Sequence, residues 1–263
     1  MKYALMVRND DLSKKTALKI KESLQNFFIY DEKNPDLVIS IGGDGTILEA
    51  VHQYLNVDCC FVGIHTGTLG FYTDYQVDEV DQFIKDVTSR QFKTMKRYML
   101  EIKINKKDSF QTYYALNELR LDQGLQAQVI HVYIGNVLLE VFRGNGLCVS
   151  TPSGSTAYNK SLGGSIIYPG IPLMQLTEVA GIHHNAYRSL GSSLILDESQ
   201  KVIYSKGFSV EMAKRLYEYI KYYYQIPVNF YVENQRMLKV LRLRLGVSMF
   251  VLLNIKKCLL LKE

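Results

Sequence analysis

Residues 36–50 read DLVISIGGDGTILEA. Leu37, Val38, Ile39 and Ile41 form a short apolar run that ends on Gly42, Gly43, Asp44 and Gly45. A short apolar run bounded by a turn signal has the pattern of a buried strand. A buried strand that stops on a carboxylate between glycines, with a helical pattern starting at once behind it, leaves few architectures open. Around this stretch the alternation continues. Tyr3–Val7 reads as a strand. In the helix that follows it, Leu12, Ala17, Ile20, Leu24 and Phe27 recur at helical spacing, with Asp10 or Asp11 as cap. Residues 37–41 give the second strand, 46–54 a short helix, 59–64 a third strand and 77–87 another helix. Strand alternating with helix specifies a parallel sheet covered by helices.

The pattern changes near Tyr98. YMLEIKIN, YYALNELRLD, QVIHVYIGN and VLLEVFRGN alternate apolar with polar residues between short turns, the mark of antiparallel β structure. The expected organisation is therefore an α/β domain over 1–95 and a β-rich, sandwich-like domain over 96–263. The formal net charge of +5 is concentrated at the end: from Ser199 to Glu263 there are 12 Lys and Arg against 4 Asp and Glu. The body then carries no excess of positive charge, which argues against nucleic acid as partner. Cys59, Cys60, Cys148 and Cys258 form no C-x-x-C pair, fitting a reducing compartment. MKYALMVRNDD reaches charge too early for a signal peptide, and no apolar run is long enough to cross a membrane. The expectation is a cytoplasmic protein with neither membrane nor nucleic-acid partner.

Glycines at a strand's carboxyl end let backbone approach a ligand, and a helix N-terminus behind them favours phosphate. Asp44 would repel that anion. It serves either to accept a proton from an attacking hydroxyl or merely to cap the helix. The lysine and spacing of a P-loop are absent. A second dense stretch, RGNGLCVSTPSGSTAYNKSLGG at 143–164, delivers small hydroxyl and glycine residues off a strand, suited to a nucleotide or to a plain solvated loop. His65 could approach a phosphate, although a histidine in such a loop is more often structural. His183 and His184 are adjacent and diverge, so no metal site is expected from them.

GGDGT followed by VGIHTGTLGFYTD, Asn117-Glu118, TPSGSTAYNKSLGG and QLTEVA together resemble the NAD kinase family in its bacterial, Gram-positive-like form, over about residues 1–198. GGDGT alone is shared with diacylglycerol- and sphingosine-type lipid kinases, which give no account of TPSGSTAYNKSLGG. The resemblance implies ATP-dependent phosphorylation of the 2′-hydroxyl on the adenosine ribose of NAD to give NADP. It also implies Mg²⁺ with the ATP and a homo-oligomer, commonly a tetramer. By the same resemblance Asp44 is the base, and Gly43, Gly45 and Thr46 lie at the phosphates. Asn117 and Glu118 would hydrogen-bond the nucleotide. Thr156, Ala157, Tyr158 and Ser161 would line the base and ribose pocket, Ser153 would also be a nucleotide-binding residue, Phe71 would pack on the dinucleotide, and Tyr187 would complete the wall.

Two departures qualify the resemblance. The family usually carries Arg-Gly-Asp-Gly where this chain has Arg143-Gly144-Asn145-Gly146, so weaker NAD binding is expected at Asn145. Beyond about Leu196 the likeness is lost. Ser209-Val210-Glu211 is similar to the family's Ser-Val-Asp, but residues 211–224 suit an amphipathic helix and the chain has no Trp. A diverged or frameshifted end, or an added basic segment, would explain this. A relative that holds nucleotide without turnover is the alternative function.

Overall fold

The computed structural model describes residues 1–67, 70–106, 109–122, 127–183, 189–205 and 251–261, the last of these as backbone alone. Tyr187, the Ser-Val-Glu segment and the helix expected over 211–224 lie outside the described residues. Contacts divide the chain into one unit of Met1–Arg97 with Cys258–Glu263 and another of Tyr98–Lys257.

In the first unit β1 (Lys2–Val7), β2 (Ile29–Tyr30), β3 (Leu37–Gly42), β4 (Cys60–His65) and β5 (Tyr75–Gln76) are all parallel, in the order β2-β1-β3-β4-β5. All six residues of β3 are buried, because the strand is central and covered on both faces. Leu260 lies beside Phe61 of β4. Three helices complete the unit: α1 (Asp11–Leu24), α2 (Asp44–Gln53) and α3 (Val80–Ser89). Asp10 caps α1 by accepting from the Ser13 N–H at 3.0 Å. Ala17, Ile20 and Leu24 enter the core, whereas Leu12 and Phe27, expected on the same stripe, are exposed; Phe27 falls beyond the last helical turn. A 3-10 turn at Val77–Glu79, closed by a reciprocal Gln76–Glu79 capping box, precedes α3. Val80, Phe83 and Val87 of α3 then join the core formed by Ile39, Ile41, Val62 and Ile64.

The second unit is mostly antiparallel. Its strands are β7 (Ser109–Ala115), β8 (Glu118–Asp122), β9 (Gln128–Ile134), β10 (Val137–Ser150), β11 (Leu173–Gly181), β12 (Leu194–Asp197) and β13 (Val202–Ser205), with β6 (Thr94–Lys106) entering it at Tyr98 and β14 (Val251–Leu261) leaving it after Lys257. β6 pairs with β7, and the remaining order is β12-β11-β10-β9-β13, with Val251 and Leu252 beside β13. The long β10 organises this unit. Its first part pairs with β9 as far as Gly144, its last part with β8 from Gly146, and β11 runs along the other side. Phe142, Leu147, Val149, Leu176 and Tyr204 are fully enclosed at its centre. Between β10 and β11 lie a 3-10 turn at Ser153–Thr156 and one short helical turn, α4 (Tyr158–Ser161).

Candidate functional site

The first group of candidate residues stands where β3 hands over to α2. Helix α2 starts at Asp44, two residues before its expected start. Gly43 is its N-cap in extended backbone, and no side chain caps it. Asp44 therefore does not serve as a cap. Its Oδ1 accepts the Phe71 and Tyr72 N–H groups at 3.0 Å each, and Oδ2 also accepts from Phe71 at 3.0 Å. The carboxylate is half-buried and is oriented by a loop 27 residues away in sequence.

That loop is seated on β4. The Gly63 N–H donates to Asp74 Oδ2 at 3.0 Å, and the Asp74 N–H donates back to the Gly63 carbonyl at 2.8 Å. Glycine is required at Gly63 because a Cβ there would lie 2.8 Å from Thr73 Cα, and at Gly42 because one would strike Thr46 Oγ1. The two glycines flanking Asp44 behave differently. A Cβ on Gly43 or Gly45 would meet nothing within 4 Å, so packing does not demand glycine at either place. Thr46 is buried, and its N–H donates to the Gly43 carbonyl at 3.0 Å. Phe71 is 57% exposed, so it is not a core aromatic. His65 is buried with its ring beside Gly67 and Gly70, a structural placement.

The second group belongs to the other unit. Asn117 occupies the turn before β8, and its carbonyl accepts the Thr151 N–H at 2.8 Å. Gly154 packs so closely on Asn117 that a Cβ would collide with the Asn117 carbonyl. This contact fixes the 151–156 turn on Asn117-Glu118. The hydroxyls of the turn divide into two kinds. Thr151 Oγ1 donates to the Leu116 carbonyl and accepts the Gly154 N–H at 3.0 Å, and Ser155 Oγ accepts the Ile167 N–H at 2.9 Å; both build the loop. Ser153 Oγ is buried with no hydrogen-bond partner, as are Glu118 Oε2 and Asn159 Nδ2. A buried polar atom left unpaired costs about 1–3 kcal/mol and calls for an explanation such as a ligand.

Burial pushes the Glu118 carboxyl above its ordinary range, opposed by the positive charge of Arg120. Thr156 and Ala157 are half-buried, and Ser161 is exposed at the end of α4. Tyr158 carries the Arg120 guanidinium over its ring at 3.7 Å. Sequence reasoning did not single out Arg120, although its place two residues after Glu118 on one strand puts both on the same face. Asn145 is exposed at the point where β10 changes partner from β9 to β8, its carbonyl accepting Gln128 Nε2 at 3.0 Å. Among the described residues no three of His, Cys, Asp and Glu gather as a metal site.

Known proteins match both groups. Residues 6–92 match the ATP-NAD kinase N-terminal domain and residues 116–203 the ATP-NAD kinase C-terminal domain. NAD kinase 1 of Halalkalibacterium halodurans is 40% identical over 217 residues, which is 81% of this chain and 82% of the relative. The chain belongs to the NAD kinase family. NAD kinase of Staphylococcus aureus strain JH9 is 41% identical over 212 residues, 78% of each chain. Among solved structures, yeast NADH kinase complexed with NADH shares the NAD kinase fold with a TM-score of 0.76 at 20% identity, covering 100% of this chain and 83% of the other. An Archaeoglobus fulgidus NAD kinase in complex with ATP gives a TM-score of 0.63 at 17% identity, covering 99% of this chain and 93% of the other.

Proposed function

We propose that this NAD kinase family member transfers the γ-phosphoryl group of ATP to the 2′-hydroxyl on the adenosine ribose of NAD, giving NADP and ADP. The observation that carries the reading is the Asp44 carboxylate, held by the Phe71 and Tyr72 N–H groups beside glycine backbone that nothing among the described residues crowds. In this reading Asp44 accepts the hydroxyl proton as the ribose oxygen attacks the γ-phosphorus. The bond from that phosphorus to the bridging oxygen breaks, and ADP leaves with the electron pair. Gly43, Gly45 and Thr46 offer backbone to the phosphates. ATP enters as its Mg²⁺ complex, the metal held by the nucleotide and offsetting charge on the transferred group.

Glu118 Oε2 and Ser153 Oγ, buried and unpaired, are assigned to nucleotide hydroxyls together with Asn117. Thr156, Ala157, Tyr158 and Ser161 form the pocket wall, and exposed Phe71 covers the dinucleotide. Asn145 also contacts NAD, through an amide in place of a charge. Tyr187 is assigned to the same wall from its place in the sequence. A homo-oligomer, a tetramer by likeness, fits the exposed Ile166, Tyr168 and Ile171 of the second unit. A cytoplasmic setting fits the thiols of Cys60 and Cys148, which form no disulfide among the described residues. Among the described residues no helix is long and apolar enough to cross a membrane.

The test is to incubate the purified chain with NAD, ATP and Mg²⁺ and to assay NADP. Formation of NADP is expected. Binding of NAD without turnover would instead favour the nucleotide-holding relative.

A further inference from the structure

Glu118, Arg120 and Asp122 alternate onto one face of β8, opposite Ser150, Cys148 and Gly146 of β10. Tyr158 reaches this face from α4. The Arg120 guanidinium stands 3.7 Å from the centroid of the Tyr158 ring, and its Nη2 donates to Asp122 Oδ2 at 2.7 Å. The arginine is thus held from two sides, although its side chain is 46% exposed.

We infer that Arg120 is a positioning and specificity-determining residue of the nucleotide site: it covers one face of the Tyr158 ring, leaving the other for a base, and fixes a positive charge beside the Glu118 carboxylate. This rests on the nucleotide-binding reading of the same loop. A half-exposed tyrosine without such a neighbour samples several rotamers and must be ordered when a base stacks on it. With Arg120 already in place, that ordering is done before the ligand arrives. Asp122 is what keeps the guanidinium on the ring rather than in water, since a bidentate-capable fork holds its geometry against a carboxylate.

The charge has a second consequence. Glu118 needs its ionised form to accept hydrogen bonds from ribose hydroxyls with both oxygens. Burial works against that form and the Arg120 charge works for it. Cys148, paired directly opposite Arg120, lies in the same field: burial and Glu118 push its thiol up, to about 12, while Arg120 opposes them. An ordinary surface arginine would share the stack and the ion pair. It would not share one face of a strand with a carboxylate oxygen that is buried and unpaired, as Glu118 Oε2 is.

The experiment compares the full-length chain with Arg120→Gln and Arg120→Lys, measuring kcat and KM for NAD and for ATP from pH 5 to 8. Arg120→Gln is expected to raise KM for NAD about tenfold, to leave KM for ATP within about twofold, and to move the acid limb of kcat/KM for NAD to higher pH. Arg120→Lys keeps the charge without the planar stack. It should restore the acid limb but not the KM. Wild-type KM and acid limb in Arg120→Gln would overturn the inference, as would an equal fall of kcat and melting temperature in both variants. If the unaltered chain forms no NADP, the wider reading fails, and calorimetric titration with NAD decides the role of Arg120: weaker binding by Arg120→Gln supports it and equal binding refutes it. If the unaltered chain does not bind NAD at all, both fall together.

Discussion

Asp44 could be a helix cap or a base on sequence grounds, and its hydrogen bonds argue against the cap. A capping aspartate lies before the first turn and accepts from its own helix, as Asp10 does for α1. Asp44 lies inside α2 and, among the described residues, accepts from the distant Phe71-Tyr72 backbone. Asp44→Asn keeps the shape and removes the proton acceptor. NADP formation should fall by about 10²–10⁴-fold while the melting temperature changes little, as steady-state assay and calorimetry would show. Asn145 offers the opposite experiment, adding a charge. Its side chain is exposed and its backbone is held by Gln128, so Asn145→Asp leaves the strand intact. A charge-assisted bond is worth about 1 kcal/mol more than a neutral one, which predicts a KM for NAD lower by about fivefold; an unchanged KM would exclude contact with the dinucleotide.

Strands β10 and β11 carry a second feature of chemical interest, a pair of buried carboxyls. Glu140 Oε2 accepts the Leu190 N–H at 3.0 Å, and Glu178 accepts from Ser189 Oγ at 3.1 Å. Burial, with the neighbouring Glu178 charge adding to it, pushes the Glu140 carboxyl up to about 7. A carboxyl raised above its unfolded value of about 4.3 favours the folded state most at low pH. That contribution is whole below the unfolded value and is lost as pH rises through about 7. Glu140→Gln mimics the protonated form and cannot titrate. Thermal melts from pH 4 to 8 should therefore show the wild-type chain losing stability relative to the variant as pH rises, and parallel curves would exclude the raised carboxyl. The same strands show why the glycines of Arg-Gly-Asn-Gly are fixed. A Cβ on Gly146 would strike the Leu121 carbonyl of β8, and one on Gly144 the Ala180 carbonyl of β11, so close pairing of β10 with its neighbours sets this spacing.

For the chain as a whole, nucleotide binding and stability are linked. A ligand that binds only the folded state stabilises it by about 2.7 kcal/mol at a hundredfold excess over its Kd. For a chain of this size that raises the melting temperature by about 5–10 °C. NAD added to the full-length chain should produce such a rise in a calorimetric scan, and its absence would count against the nucleotide reading of both units.

Much of this was legible without coordinates. The parallel sheet of Met1–Arg97 follows from apolar runs alternating with helical spacing, because burial on both faces or on one stripe leaves its period in the sequence. The antiparallel pairs around β10 follow from strict alternation, for the same reason. Candidate residues next to glycine or packed in one dense motif, such as Asp44, Ser153 and Tyr158, were visible as local pattern. Three things were decided by tertiary structure. Asp44 gained its N–H partners from a loop 27 residues away, Thr151 and Ser155 were diverted to hold the loop while Ser153 was left unpaired, and Arg120 was laid over a ring 38 residues further on. Periodicity records which face of an element is buried, but it carries no information on which distant backbone or side chain arrives at a given polar atom. That depends on the packing of the elements around it.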